Sequence, residues 1–103
     1  MDTLEELSFQ IISGVGAAKS CYIEALRMSR NGDNILAQKK LDEGYNYYLT
    51  GHAAHSKLLQ QTAEKADSVK INLLVVHAED QLMSAETIKL MVEEFMILYN
   101  QEE

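Results

Sequence analysis

Apolar side chains recur at steps of three and four residues along most of the chain, which is the spacing of one face of an α-helix. This periodicity predicts three helices, over residues 3–30, 34–65 and 69–100. The chain has no proline and only 5 glycines, whereas sandwiches, barrels and Rossmann folds need frequent turn residues. The pattern therefore predicts an all-α fold: a single domain over residues 1–103, built as an antiparallel up-down-up bundle of three helices.

The predicted helix boundaries rest on capping and turn residues. Thr3 and Glu6 have the spacing of a capping box at the start of the first helix. Gly32 can adopt the left-handed conformation that ends this helix, and Asp33 can cap the second one. Asp67-Ser68 offers the second break and a cap for the third helix.

The first two helices differ in the polarity of their predicted core-facing positions. Those of the first helix are apolar, and they are Leu4, Leu7, Ile11, Val15, Ala18, Tyr22 and Ala25. Those of the second helix include two tyrosines and two histidines, and they are Ala37, Leu41, Tyr45, Tyr48, His52, His55, Leu59, Thr62 and Ala66. Gly44 and Gly51 lie on a neighbouring face of the second helix and can permit a close approach to another helix.

The third helix carries two apolar stripes. The main stripe consists of Ile71, Leu74, Ala78, Ala85, Ile88, Val92, Phe95 and Tyr99. The second stripe consists of Leu73, Val76, Met83 and Leu90. Two apolar faces on one helix predict that one packs within the bundle and the other packs against another subunit.

The 103 residues are 47% apolar and 24% charged, with a net charge of -7. This acidity argues against nucleic-acid binding, which relies on clustered Lys and Arg, and favours a basic protein partner. The single cysteine, Cys21, excludes an intrachain disulfide and is typical of a reducing cytosol. The N-terminus is acidic where a signal peptide would be basic, and the uncharged run over residues 7–18 is too short to span a bilayer. We therefore expect a soluble, cytoplasmic protein.

The third helix also contains the most unusual chemistry of the chain. His77 has Asp80 three residues later and Gln81 four residues later, so that the three side chains project toward one side of a helix. A neutral imidazole is a nucleophile that can form a phosphoramidate, and an amide can donate a hydrogen bond to a phosphoryl oxygen. On spacing alone, an ordinary surface contact between His77 and Asp80 is the alternative.

His52 and His55 have a spacing that metal ligands can adopt, but no further ligand motif accompanies them. The alternative is that they are core histidines hydrogen-bonded across the bundle to tyrosine or backbone groups. Cys21 is expected to be a small buried residue.

Several segments together resemble the lactose/cellobiose-type enzyme IIA of the bacterial phosphoenolpyruvate-dependent sugar phosphotransferase system. The family has a Gly-x-Ala-Arg-Ser stretch followed by Glu-Ala-Leu and Gly-Asp, then Ala-His followed by Gln-Thr, then Val-His-Ala-Gln-Asp-His-Leu-Met. The corresponding segments here are Gly16-Ala17-Ala18-Lys19-Ser20, Glu24-Ala25-Leu26, Gly32-Asp33, the region of His52, and Val76-His77-Ala78-Glu79-Asp80-Gln81-Leu82-Met83.

The resemblance implies roles for individual residues. The family's phosphorylated histidine corresponds to His77, and its metal-binding aspartate, contributed by each subunit of a trimer to a shared central cation, corresponds to Asp80. It thus implies a nine-helix homotrimer with one structural ion, for which the oxygen ligands favour Mg²⁺ over Ca²⁺ or Mn²⁺. Three residues depart from the family pattern: Gln81 replaces a second His, Glu79 replaces Gln, and Lys19 replaces Arg.

The implied activity is that of a phosphoryl carrier. His77 takes a phosphoryl group from phospho-HPr and passes it to a cysteine of the cognate IIB subunit, during uptake of a β-linked disaccharide through the membrane IIC component. Composition and periodicity agree equally with a different class, a non-enzymatic acidic adaptor that binds basic partners.

Overall fold

The computed structural model describes residues 3–64 and 72–101, which form three long α-helices and no strand. They are α1 (Leu4–Arg30), α2 (Asn34–Glu64) and α3 (Leu73–Tyr99). The elongated bundle measures 58 × 19 × 19 Å. The predicted all-α architecture of three helices is confirmed. No helix among the described residues is both long and apolar enough to cross a membrane.

The starts of α1 and α3 are fixed by side-chain caps. Thr3 Oγ1 accepts from the Glu6 backbone N–H at 3.1 Å, and a Glu6 carboxylate oxygen accepts from the Thr3 backbone N–H at 2.8 Å, which confirms the capping box. At α3, Asn72 Oδ1 accepts from the backbone N–H of Val75 at 2.9 Å. The third helix is described from Leu73, and the predicted start at residue 69 lies outside the described residues. The predicted break at 67–68, the end of the second helix at 65, and the stripe positions 66 and 71 lie outside the described residues.

The turn between α1 and α2 is a Schellman motif. Gly32 adopts a φ of 90°, which an L side chain rarely adopts. Its N–H donates to the carbonyl of Ser29 at 3.0 Å, and the N–H of Asp33 donates to the carbonyl of Met28 at 2.9 Å. The predicted stop at Gly32 is confirmed.

Helix α1 is the centre of the bundle, because it packs along both α2 and α3 while those two helices meet at few positions. Its predicted stripe is confirmed: every member after Leu4 is buried. It approaches α2 at glycines, where a Cβ on Gly14 would lie 2.9 Å from the backbone nitrogen of Gly51. A Cβ on Gly44 would lie 2.8 Å from the Tyr22 ring. The expected close approach at Gly44 and Gly51 is therefore confirmed.

The predicted core stripe of α2 is partly wrong. Tyr45, His52, Leu59 and Thr62 are exposed, while Tyr48 and His55 are half-buried. The positions that α2 buries are mostly small, and they are Ala37, Leu41, Gly44, Gly51, Ala54 and Leu58. Small residues face α1 because the two helix backbones lie close together.

The outer face of α3, defined by Leu73, Val76, Met83, Leu90 and Ile97, is exposed. The exposed fractions of these side chains range from 49% at Val76 to 83% at Leu73. The predicted second stripe is thus confirmed as a surface that the bundle itself does not cover. The buried positions of α3 are Ala78, Leu82, Ala85, Val92 and Met96.

Candidate functional site

His77 lies in the second turn of α3, and its side chain is exposed. Its neighbour Ala78 is fully buried against the core, which fixes the rotation of the helix at this point. Within residues 3–64 and 72–101, His77 forms no hydrogen bond or ion pair. An imidazole in this position is open to a second protein, as a phosphoryl carrier requires.

Viewed along the helix axis, Asp80 lies on one side of His77 and Gln81 on the other, because successive helical residues are rotated by about 100°. Asp80 is exposed on the outer face of α3, between Val76 and Met83. Gln81 is half-buried and turns toward α1. The structure therefore places the three predicted site residues on one side of α3, with the aspartate and the amide in different surroundings.

A side-chain bridge joins the site to α1. The Lys19 ammonium donates a hydrogen bond to Oε1 of Gln81, and both side chains are half-buried. The spacing of residues along one helix does not predict this contact, because residues 62 positions apart meet only through helix packing. The departures of both residues from the family pattern were the signal that could have suggested it.

A second bridge joins α3 to α2 two residues after His77. Nε2 of His55 lies 2.5 Å from a carboxylate oxygen of Glu79, with both side chains partly buried. His55 thus bonds across the bundle as expected, but its partner is a glutamate rather than a tyrosine or a backbone group. His52 is exposed, and its ring lies 5.8 Å from that of Tyr48.

The described residues contain no group of three or more His, Cys, Asp or Glu side chains placed to hold a metal ion within one chain. Nor does Asp80 have a hydrogen-bond or ion-pair partner in this part of the chain. A carboxylate set among apolar side chains suits a hard cation when further oxygen ligands join it. Asp80 alone supplies too few oxygen ligands for such a cation, so a site here needs ligands from outside this part of the chain.

Cys21 is buried, as expected, and is not a competing nucleophile. Burial raises the pKa of its thiol above the ordinary value, with a further contribution from the charge of Glu43. A thiol with a raised pKa stays protonated at neutral pH, and the thiolate is the reactive form. The exposed imidazole of His77 is the better candidate.

A groove of about 290 Å³ separates α2 from α3 further along the bundle, and it is lined by Tyr22, Tyr45, Tyr48, Glu86, Lys89 and Leu90. The hydroxyl of Tyr48 donates to Glu86 across the groove. The Lys89 ammonium lies 5.0 Å from the centre of the Tyr45 ring and binds Glu93 at 3.0 Å. The contacts from Tyr48 to Glu86 and from Tyr45 to Lys89 join α2 to α3 where their backbones are apart.

The chain is similar to known proteins in both sequence and fold. Residues 6–100 match the family described as the PTS system, lactose/cellobiose-specific IIA subunit. The chain is 35% identical over 98 residues to the lichenan-specific phosphotransferase enzyme IIA component of Bacillus subtilis strain 168, covering 95% of this chain and 88% of that protein. It is 32% identical over 97 residues to the oligo-beta-mannoside-specific EIIA component of the same strain, covering 94% and 87%.

Two solved structures share the fold. The cellobiose-specific enzyme IIA from Bacillus anthracis superposes with a TM-score of 0.88 at 31% identity, over 98% of this chain and 93% of that chain. PtcA from S. mutans superposes with a TM-score of 0.89 at 36% identity, over 98% and 100%. Sequence and fold agree along nearly the whole length, so the chain belongs to the lactose/cellobiose-specific IIA family of the phosphotransferase system and is a phosphotransferase component.

Proposed function

We propose that the chain carries a phosphoryl group on His77 between HPr and a cognate IIB subunit. The observation that supports this most strongly is the exposed, unbonded imidazole of His77 on α3, within the segment that matches the family motif. An accessible nucleophile on a rigid helix suits a protein that must dock with two partners in turn.

The transfer balances without any further reactant. A ring nitrogen of His77 attacks the phosphorus of the HPr phosphohistidine, so that the new N–P bond forms as the donor N–P bond breaks. The HPr imidazole keeps the electron pair and takes up a proton in place of the one that the His77 ring gives up. A cysteine thiolate of IIB then attacks the same phosphorus, and the imidazole of His77 leaves with its electron pair and takes up a proton from water. Because such a step requires mainly positioning and charge stabilisation, few protein groups are needed.

Gln81 is the residue that we assign to phosphate contact. Residues four apart on a helix are neighbours on its surface, so the Gln81 amide lies one turn from His77. Its N–H groups can donate to a phosphoryl oxygen. The substitution Gln81→Ala is expected to slow transfer by about ten-fold, which corresponds to losing one hydrogen bond to a charged group.

The assembly that we propose is a homotrimer in which the outer faces of three α3 helices meet around an axis. Asp80 of each copy then lies near its symmetry mates, where carboxylates repel unless they share a cation. Mg²⁺ bound by the Asp80 carboxylates would offset most of this charge and hold the trimer together. This ion is structural and takes no part in the transfer.

For the transported sugar we propose a β-linked disaccharide, taken up through a membrane IIC component. Relatives are named for lichenan and oligo-beta-mannoside, and one solved relative for cellobiose. A phosphorylation assay with candidate IIB subunits identifies the acceptor, and with it the sugar system.

The test of carrier function is incubation with enzyme I, HPr and phosphoenolpyruvate. We expect one acid-labile, base-stable phosphate per chain, lost again when the cognate IIB is added. An adaptor protein would take up no phosphate, and that result would overturn the proposal.

A further inference from the structure

The bridge between Lys19 and Gln81 fixes the orientation of the Gln81 amide. A lysine ammonium has three donors and no acceptor, so it can bind only the oxygen of a side-chain amide. Lys19 therefore holds Oε1 of Gln81 on the α1 side. The amide nitrogen is turned away from Lys19, with both of its protons still available.

Those protons are free for a ligand. Across residues 3–64 and 72–101, Nε2 of Gln81 donates to no other group. His77 lies one helical turn before Gln81, on the same side of α3. If the amide were reversed, it would present a carbonyl oxygen to a phosphoryl group on His77, and the two would repel.

The ammonium group of Lys19 is not paired with an acidic side chain in the described part of the chain. A cation bound to the oxygen of an amide polarises the N–H groups at the other end, because hydrogen bonds in a chain strengthen one another. The half-buried position of the bridge reduces screening by water.

We propose that Lys19 is a positioning residue for phosphoryl transfer, which orients and polarises the Gln81 amide so that its N–H groups bind the phosphoryl group on His77. This inference rests on the proposed function of His77. At this position, where the family has a second histidine, the neutral amide of Gln81 then acts together with the positive charge of Lys19 on α1.

A double-mutant cycle tests the coupling. The variants are Lys19→Met, Gln81→Met and the double variant, and the readout is the rate of phosphoryl transfer from phospho-HPr to the chain. We expect each single substitution to slow transfer by about three- to ten-fold. Because Lys19 acts through Gln81, we expect the double variant to match Gln81→Met within about two-fold.

Two controls separate positioning from a general loss of charge or fold. Lys39→Met removes one positive charge from an exposed position on α2 and should leave the rate unchanged. Lys19→Arg keeps the donor and the charge and should restore most of the rate. The side-chain amide NMR signals of Gln81 should shift on phosphorylation in the wild type, and this shift should be smaller in Lys19→Met.

The outcomes distinguish this inference from the function on which it rests. Suppose that the wild type takes up phosphate normally on His77 and that the effects of the two single substitutions multiply in the double variant. This result would overturn the inference alone, since Lys19 would then act independently of Gln81. An unchanged rate in Lys19→Met would do the same. Absence of any phosphate uptake by the wild-type chain would overturn the proposed function and this inference with it.

Discussion

Tyr22 contributes both to the packing of the core and to the dependence of its stability on pH. Its side chain is fully buried, and its hydroxyl has no hydrogen-bond partner among the described residues. Burial, followed by the charge of Glu93, raises the pKa of Tyr22 to about 12. An unsatisfied buried hydroxyl costs free energy relative to an apolar group of the same shape.

The substitution Tyr22→Phe removes this hydroxyl while keeping the ring. We expect the free energy of unfolding to rise by about 1 kcal/mol, because the desolvation cost of the hydroxyl is removed. Denaturant unfolding at neutral pH measures the difference. A loss of stability would show that the hydroxyl has a partner that the core requires.

The raised pKa of Tyr22 also predicts a dependence on alkaline pH. An unfolded tyrosine loses its proton near pH 10, whereas folded Tyr22 keeps it until about pH 12. The unfolded state therefore binds fewer protons in this window, and stability falls as pH rises through it. Unfolding curves across the window should show a smaller fall for Tyr22→Phe than for the wild type. Equal falls would contradict the assignment to Tyr22.

At the scale of helices, the contact between α1 and α2 depends on the absence of side chains at a few positions. A Cβ on Gly14 would lie 2.9 Å from the backbone nitrogen of Gly51 and 3.0 Å from the carbonyl oxygen of Tyr47. Backbone atoms cannot move aside as a flexible side chain can. By contrast, a Cβ on Gly16 of the same helix would meet nothing within 4 Å.

These two glycines form a matched pair for mutation. Gly14→Ala should destabilise the protein by about 1–3 kcal/mol, because α1 and α2 must separate to admit the methyl group. Gly16→Ala should stabilise it by about 0.5–1 kcal/mol, because alanine favours a helix more than glycine does. Thermal unfolding of both variants checks the signs. If Gly14→Ala stabilised the protein instead, α1 and α2 would have to lie further apart at this position than the structure shows.

The register of α2 illustrates what the sequence could not reveal. Periodicity alone located the three helices and the buried stripe of α1. It favoured the larger side chains of Tyr45, His52 and Leu59 for the core of α2, although Gly44 and Gly51 occupy the interface. A glycine carries no apolar side chain, so a close helix contact leaves no hydrophobic signal.

The candidate site also has some features that the sequence could predict and others that it could not. The common direction of His77, Asp80 and Gln81 follows from helical spacing, so the sequence could predict it. The bridges from Lys19 to Gln81 and from His55 to Glu79 join different helices. Their formation depends on how far each helix is shifted along its neighbour, and the spacing within one helix does not determine that shift.

At the scale of the whole molecule, the outer face of α3 predicts self-association. Its apolar residues are separated by three residues and then by seven, which agrees with the heptad spacing of a coiled-coil seam, and Asp80 occupies one position of that seam. We expect the wild type to sediment as a trimer in the presence of Mg²⁺, and we expect the association of its subunits to weaken when a chelator is added. Asp80→Leu removes the repulsion, so its trimer should persist without metal. A wild-type monomer at micromolar concentration with Mg²⁺ present would contradict the proposed assembly.

A charge on the outer face should break the same contact. Leu90 is 65% exposed in the single chain, and Leu90→Lys would place an ammonium in the contact proposed for the trimer. We expect this variant to sediment as a monomer with its helices retained. Ile35 is 78% exposed on a different helix, α2, so Ile35→Lys is the control and should remain a trimer. Equal behaviour of the two variants would show that another surface mediates association.

The central claim is that His77 alone carries the phosphoryl group, and phosphate uptake by histidine variants tests it most directly. The wild type, His52→Ala and His55→Ala are each expected to take up one acid-labile phosphate per chain from enzyme I, HPr and phosphoenolpyruvate. His77→Ala should take up none while keeping its helical fold, because the exposed imidazole bonds to no other group among the described residues. Uptake by a folded His77→Ala, or its loss in His52→Ala or His55→Ala, would contradict the account.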